Sequence, residues 1–326
     1  MIKTILVCGA GGFIGTHLVN DLKDKGHTVI GADIKEPLYE DSRCDDFYKQ
    51  DLREANMVDF IFSQHKFDEV YQLAADMGGA GYIFIGDNDA DIMHNSASIN
   101  LNVLESCRKN NVTKVFYSSS ACMYPEHNQL DPDNPDLAEH TAYPANPDSD
   151  YGWEKLFSER LYLAYGRCYN MNVKIARFHN IFGPQGSWNN GKEKAPAALC
   201  RKVAMAEHDG VIEVWGPGNQ TRSFLFIDEC VEGIQRIMES DLTEPVNLGS
   251  TRKISINELV LLIAERTNKR VTIKNIDGPR GVMGRTSDNK MIKEKINWAP
   301  DEDLETGIDK TYSWILTQIE SGVEDV

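Results

Sequence analysis

Along the first half of the chain, short apolar runs rich in β-branched residues alternate with longer stretches whose apolar positions recur every three to four residues. The first pattern predicts buried strands and the second amphipathic helices. Strands are expected at 4–8, 28–33, 47–50, 69–73, 114–118 and 173–178, and helices at 13–25, 57–63, 92–110 and 151–168. Such alternation is that of βαβ units, so the fold class expected is α/β, with a doubly wound parallel sheet.

After Asn180-Ile181-Phe182-Gly183-Pro184 the alternation fades. Residues 185–192, rich in Gly and Asn, read as a mobile loop. A helix is expected at 195–207, a strand at 211–215 and a Gly/Pro turn at 216–218. The earlier style returns over 223–250, with a strand, then a helix at 228–239 and a strand at 245–248, before helices near 256–267 and 304–319. The Pro- and Asp-rich stretch 125–150 reads as a long loop, and long loops in compact domains are often functional. The organisation expected is a nucleotide-binding domain of residues 1–180, to which 223–250 return, and a smaller discontinuous α/β domain of 181–222 and 251–326 that binds the substrate.

Composition narrows the partners. The chain has 326 residues, 41% hydrophobic and 26% charged, with a formal net charge of −16. That charge repels nucleic-acid backbones and anionic lipid surfaces, so neither is expected as a partner. No apolar run approaches the ~20 residues of a membrane span, and Ile2-Lys3-Thr4-Ile5-Leu6-Val7 reads as the approach to a strand rather than as a cleavable leader. Cysteines stand at 8, 44, 107, 122, 168, 200 and 230, none in a Cys-x-x-Cys pair. This argues against a disulfide framework or a metal site and for a reducing, cytoplasmic setting.

Gly9, Gly12 and Gly15 join the first strand to the first helix in a Gly-x-x-Gly-x-x-Gly spacing, with Phe13 and Ile14 between the last two. Such glycines allow a tight turn and a close approach to a pyrophosphate seated on the helix N-terminus, the arrangement of a Rossmann sheet. Asp33 ends the second strand 18 residues after Gly15. Its carboxylate suits a ribose diol and repels a 2′-phosphate, which favours NAD over NADP. Asp51 is placed to reach the adenine, and Leu73 to line the nicotinamide side.

Ser120 precedes Tyr151-Gly152-Trp153-Glu154-Lys155. A phenol titrates near pH ~10, too high for a base at neutrality. A lysine four residues on, sharing its helix face, and an oxidised nicotinamide both favour the phenolate. Tyr151 is then suited to take a hydroxyl proton as hydride leaves the same carbon, with Ser120 holding the oxygen.

These residues resemble the extended short-chain dehydrogenase/reductase superfamily, which mostly works on nucleotide sugars. More narrowly, Met77-Gly78-Gly79, Ser120-Ala121-Cys122-Met123-Tyr124, Asn180-Ile181-Phe182-Gly183-Pro184, Lys194-Ala195-Pro196, Gln220-Thr221-Arg222 and Ile227-Asp228-Glu229-Cys230 are similar to the GDP-mannose 3,5-epimerase family. The similarity extends essentially from Leu6 to Trp314. It implies transient oxidation at C4, epimerisation at C3 and C5 by Cys122 and Lys194, and re-reduction to GDP-L-galactose, with GDP-L-gulose as a second product. It also implies GDP-mannose contacts from Met77, Gly78, Asn180, Lys194, Lys202, Gln220, Arg222 and Arg285. Closure of Trp188 and Asn189 over the sugar, packing of His179, and a homodimer through the helices at 92–110 and 151–168 are further expectations. A 4-epimerase, needing only Tyr151, and a non-catalytic NAD-binding relative stay open. A dehydratase is disfavoured, because Ala121-Cys122 stand where such enzymes carry an Asp-Glu pair.

Overall fold

The computed structural model describes residues 1–322; the last four residues of the expected second domain, 323–326, lie outside the described residues. Seven strands form one parallel sheet in the spatial order 246–248, 172–178, 114–120, 69–72, 4–8, 28–33 and 46–49. The expected strands therefore exist, with ends displaced by one or two residues. Apolar side chains fill the space on both sides of the sheet: Ile5, Val7, Leu18 and Leu22 lie in one buried cluster and Leu6, Cys8, Val70 and Tyr117 in another. Period-2 alternation across a sheet covered on both faces explains why its strands are continuous hydrophobic runs.

Helices Phe13–Asp24, Ala55–Gln64, Asp89–Lys109, Asp150–Tyr169 and Ile227–Glu239 cover the sheet. Helix Asp150–Tyr169 starts where the Ser149 hydroxyl accepts the Gly152 amide at 3.2 Å, and it stops at Asn170, which turns left-handed at φ 54°. Its burial of Tyr151 and Lys155 on one face follows from their spacing of one turn.

The second half is held by small sheets. Strand Gly210–Trp215 pairs with Val271–Ile276, and Thr221–Ser223 lies between Lys253–Ser255 and Gly284–Arg285. Ile181–Phe182 pairs with Leu225–Phe226. Most of these strands, two or three residues long, were not expected from sequence. The stretch 125–150 is a long connection, as expected, but carries two short 3-10 turns, Glu126–Gln129 and Glu139–Ala142. No helix among the described residues is long and apolar enough to cross a membrane.

A buried polar network ties that connection to the sheet. Arg177 donates to both oxygens of Glu159, at 3.0 and 2.7 Å, to the Tyr124 hydroxyl at 2.9 Å and to the Glu139 carbonyl at 3.1 Å. Tyr124 donates to Asn247, whose Oδ1 also meets the His179 ring at 3.1 Å. His179 is fully buried and burial pushes its pKa down to about 3, so it packs as a neutral ring, as expected.

Candidate active site

The site lies at the carboxyl ends of the parallel strands, where the order of connections reverses between strands 4–8 and 69–72. This is where open α/β sheets form a ligand crevice. Gly9 turns left-handed there at φ 84°, and its amide donates to the Ala32 carbonyl at 2.8 Å. A side chain on Gly15 would lie 2.0 Å from the Gly9 carbonyl oxygen, so the first helix packs against the strand only because residue 15 is glycine. Gly12 caps the helix and has no side chain to bond the first amides, so those of Phe13 and Ile14 are suited to an anion.

Asp33 sits beside this turn and accepts the Gly11 amide at 3.0 Å and the Lys35 amide at 3.2 Å. Burial raises its pKa, and those backbone donors oppose the rise. Asp51 is held by Arg53 at 2.6 Å, which keeps its carboxyl below the usual range. Leu73 follows strand 69–72, and its amide donates to the Cys8 carbonyl at 3.1 Å. Gly-rich turn, helix N-terminus and half-buried acid together fit a dinucleotide.

Ser120 ends strand 114–120, buried, and its hydroxyl accepts the Cys122 amide at 3.2 Å while meeting the Tyr151 phenol. Lys155 donates to the Ser118 carbonyl at 3.0 Å, with its ammonium 5.2 Å from the Tyr117 ring centre and 5.7 Å from that of Tyr151. The spatial grouping expected of Ser120, Tyr151 and Lys155 is present. The electrostatics differ from the sequence reading: burial drives the Tyr151 phenol up, reinforced by Cys122, and drives the Lys155 ammonium down. In the protein alone, desolvation outweighs the opposing effects of the Ser120 hydroxyl and the Arg285 guanidinium on the Tyr151 phenol.

Cys122 is half-buried in a cluster with Met77, Tyr82, Ile83 and Tyr151. Lys194 is the N-cap of helix Ala195–Met205. Burial lowers the Lys194 pKa, and Cys122 opposes the shift, so thiol and amine stand within electrostatic reach of each other. Cys122 acts on both Tyr151 and Lys194.

Arg285 is the main surprise. It is buried and donates to the Cys122 sulfur at 2.9 Å, the Gln129 side-chain Oε1 at 2.6 Å and the Asp148 carboxylate at 3.1 Å. Arg222 is similarly engaged, donating to the backbone carbonyls of Thr221 at 2.7 Å, Arg280 at 3.0 Å and Val282 at 2.7 Å. Burial, with Arg285 adding to it, pulls its pKa down to about 9. Asp148 and Gln129 went unnoticed in the sequence, where nothing marks them apart from their place in a long connection.

The other expected contacts spread around the site. Gly78 follows Met77 on the segment after strand 69–72. Asn180 donates to the Ser223 carbonyl at 2.9 Å, Gln220 to the Trp215 carbonyl at 2.8 Å and Lys202 to the Glu213 carbonyl at 2.7 Å. The stretch 185–192, expected to be mobile, is docked. Trp188 is 3% exposed and donates to the Tyr39 hydroxyl at 3.1 Å, while Gln185 donates to Glu40 at 3.0 Å. Trp188 is therefore an anchor packed into the core rather than a flap, because its ring finds an apolar bed there.

Comparison with known proteins agrees with this geometry. Over 318 residues the chain is 48% identical to a GDP-mannose 3,5-epimerase of Arabidopsis thaliana, covering 97% of this chain and 83% of that one. A GDP-mannose 3,5-epimerase 1 of Oryza sativa subsp. indica matches at the same identity, covering 97% and 82%. Among solved structures, a UDP-glucose 4-epimerase of Thermotoga maritima with UDP-glucose superposes with a TM-score of 0.86 at 26% identity, covering 97% of this chain and 99% of that one. A Thermus thermophilus UDP-glucose 4-epimerase in complex with NAD shares the fold, with a TM-score of 0.79 at 22% identity over 96% and 98% of the two chains. A profile of the NAD dependent epimerase/dehydratase family matches residues 5–249, and to that family the chain belongs.

Proposed function

We propose that the protein is a GDP-mannose 3,5-epimerase that uses NAD catalytically. The carrying observation is that Cys122 lies within electrostatic reach of both Tyr151 and Lys194, so a hydride-transfer group and two proton carriers lie in one neighbourhood. The 48% identity to GDP-mannose 3,5-epimerases across nearly the whole chain supports the same substrate.

Bound NAD would take the C4 hydride and later return it, and its charged ring would favour the Tyr151 phenolate. Gly9, Gly12, Phe13, Ile14, Gly15 and Asp33 would hold it, with Asp51, Leu73, Tyr151 and Lys155 alongside. Tyr151 removes the C4 hydroxyl proton, and Ser120 steadies the oxygen that becomes a carbonyl. That carbonyl makes the hydrogens on C3 and C5 acidic, since either carbanion delocalises into it as an enolate. Cys122 and Lys194, facing the ring from opposite sides, remove one proton and return another. A lysine held below its usual pKa by burial is better matched to this exchange near neutrality than an exposed one. Met77, Gly78, Asn180, Lys202, Gln220, Arg222 and Arg285 shape the nucleotide-sugar cleft.

In this reading residues 1–180 and 223–250 bind the cofactor, and 181–222 with 251–326 bind the sugar nucleotide. Trp153, Phe157, Leu101 and Met93 leave apolar surface on helices Asp150–Tyr169 and Asp89–Lys109, which supports a homodimer through these helices. Seven unpaired cysteines suit a reducing cytoplasm.

The test is turnover of GDP-mannose without added cofactor, with products resolved by NMR. GDP-L-galactose, with GDP-L-gulose beside it, is expected. A product inverted at C4, or unchanged GDP-mannose in the presence of bound NAD, would overturn the reading.

A further inference from the structure

Residues 76–84 leave the sheet after strand 69–72 and cross to the segment that carries Lys194. The Gly79 amide donates to the Lys192 carbonyl at 2.8 Å. A methyl group built on Gly79 would stand 2.1 Å from the Glu193 carbonyl oxygen, roughly 1 Å inside the closest approach a side-chain carbon makes. The Gly79 backbone itself, at φ −78° and ψ −170°, is open to any residue. Contact alone, and not conformation, requires glycine there.

The strap is moored at both ends. Asp76 accepts the Tyr82 hydroxyl at 2.8 Å and the Asn95 amide at 2.9 Å, and the Lys192 ammonium lies 4.0 Å from the centre of the Tyr82 ring. Met77 and Tyr82 pack in the cluster that contains Tyr151 and Cys122. On the far side, the Glu193 carboxylate accepts the Gly191 amide at 2.6 Å and Arg201 at 3.2 Å. The turn 191–193 is therefore clamped between Gly79 and Arg201 immediately before Lys194 enters its helix. One short strap touches the wall that bears Cys122 and the backbone that bears Lys194.

We propose that Gly79 is a positioning residue that sets the distance of Lys194 from Cys122 across the sugar ring, and thereby the rate of proton exchange at C3 and C5. The proposal rests on Lys194 being one of the two proton carriers. The Gly79–Glu193 contact itself lies on neither strand 114–120 nor helix Asp150–Tyr169, the elements that carry Ser120, Tyr151 and Lys155.

The experiment compares the parent with Gly79→Ala, each loaded with NAD, in deuterated buffer with GDP-mannose. Deuterium at C3 and C5 reports proton exchange, transient NADH absorbance reports oxidation at C4, and KM reports binding. Displacing Lys194 by about 1 Å is expected to slow exchange by ~100-fold while the NADH transient and KM stay within about 3-fold of the parent. Glu193→Ala, which loosens the clamp from the other side without adding bulk, is expected to slow exchange by ~10-fold with the same split, and it serves if Gly79→Ala fails to fold. Exchange at the parental rate in both variants, or exchange and NADH transient falling together, would overturn the proposal. A parent that exchanges no deuterium would overturn the epimerase reading itself and this proposal with it. Lys194→Ala with parental exchange would remove Lys194 and leave the epimerase reading standing.

Discussion

Cys122→Ala is expected to bind NAD and GDP-mannose, to oxidise C4, and to lose proton exchange at the carbon that Cys122 serves by ~10²–10⁴-fold, the usual contribution of a positioned acid or base. The split follows from the geometry. Ser120, Tyr151 and Lys155 hold one another through the Ser120–Tyr151 contact and the Lys155–Ser118 hydrogen bond, neither of which uses the thiol side chain. Removing the sulfur leaves Arg285 its bonds to Asp148 and Gln129, so the buried guanidinium stays paired and little stability is lost. The variant should therefore accumulate reduced cofactor on mixing with GDP-mannose, visible by its absorbance, while NMR in deuterated water shows the exchange deficit. Parental exchange would take Cys122 out of the chemistry and leave it as a packing residue.

Arg177→Ala should destabilise the fold by about 3–5 kcal/mol, the usual cost of removing one partner of a buried ion pair. Arg177 and Glu159 are both nearly inaccessible, with side chains 4% and 1% exposed. Without the guanidinium, Glu159 keeps only the Ser119 hydroxyl at 3.0 Å, and the Tyr124 hydroxyl and Glu139 carbonyl each lose a donor. Urea unfolding at neutral pH measures the loss directly. Converting Glu159 to Gln in the same chain should recover part of it, since a neutral amide costs less to bury than an unpaired carboxylate. A loss below about 1 kcal/mol would mean that water reaches Glu159.

The first half of the chain was legible because each of its signals is local. Apolar β-branched runs mark the strands, Gly9, Gly12 and Gly15 mark the first turn, and the one-turn spacing of Tyr151 and Lys155 puts both on one helix face. The second half was legible only in its longer elements. Thr221–Ser223 is a strand because Lys253–Ser255 and Gly284–Arg285 come to lie on either side, and three residues carry no period of their own. The partners of Arg285 were hidden for the same reason. It stands in a polar stretch with no local mark of its neighbours, and the fold brings Gln129, Asp148 and Cys122 to it from well over 100 positions away. Trp188 reads as a flap in a Gly/Asn-rich stretch until Tyr39 is found beside it. Gly79 stands out only as part of the Met77-Gly78-Gly79 run, because its requirement for glycine comes from the carbonyl of Glu193 on another segment.

The central claim is that one cavity oxidises C4 and then exchanges protons on both sides of it. The most direct measurement is NMR of the sugar nucleotide recovered after incubating GDP-mannose with the NAD-loaded protein in deuterated water. Deuterium at C3 and C5, hydrogen retained at C4 and no net gain of NADH is the expected result. Inversion at C4 with hydrogen retained at C3 and C5, or one NADH formed for each sugar consumed, would contradict it.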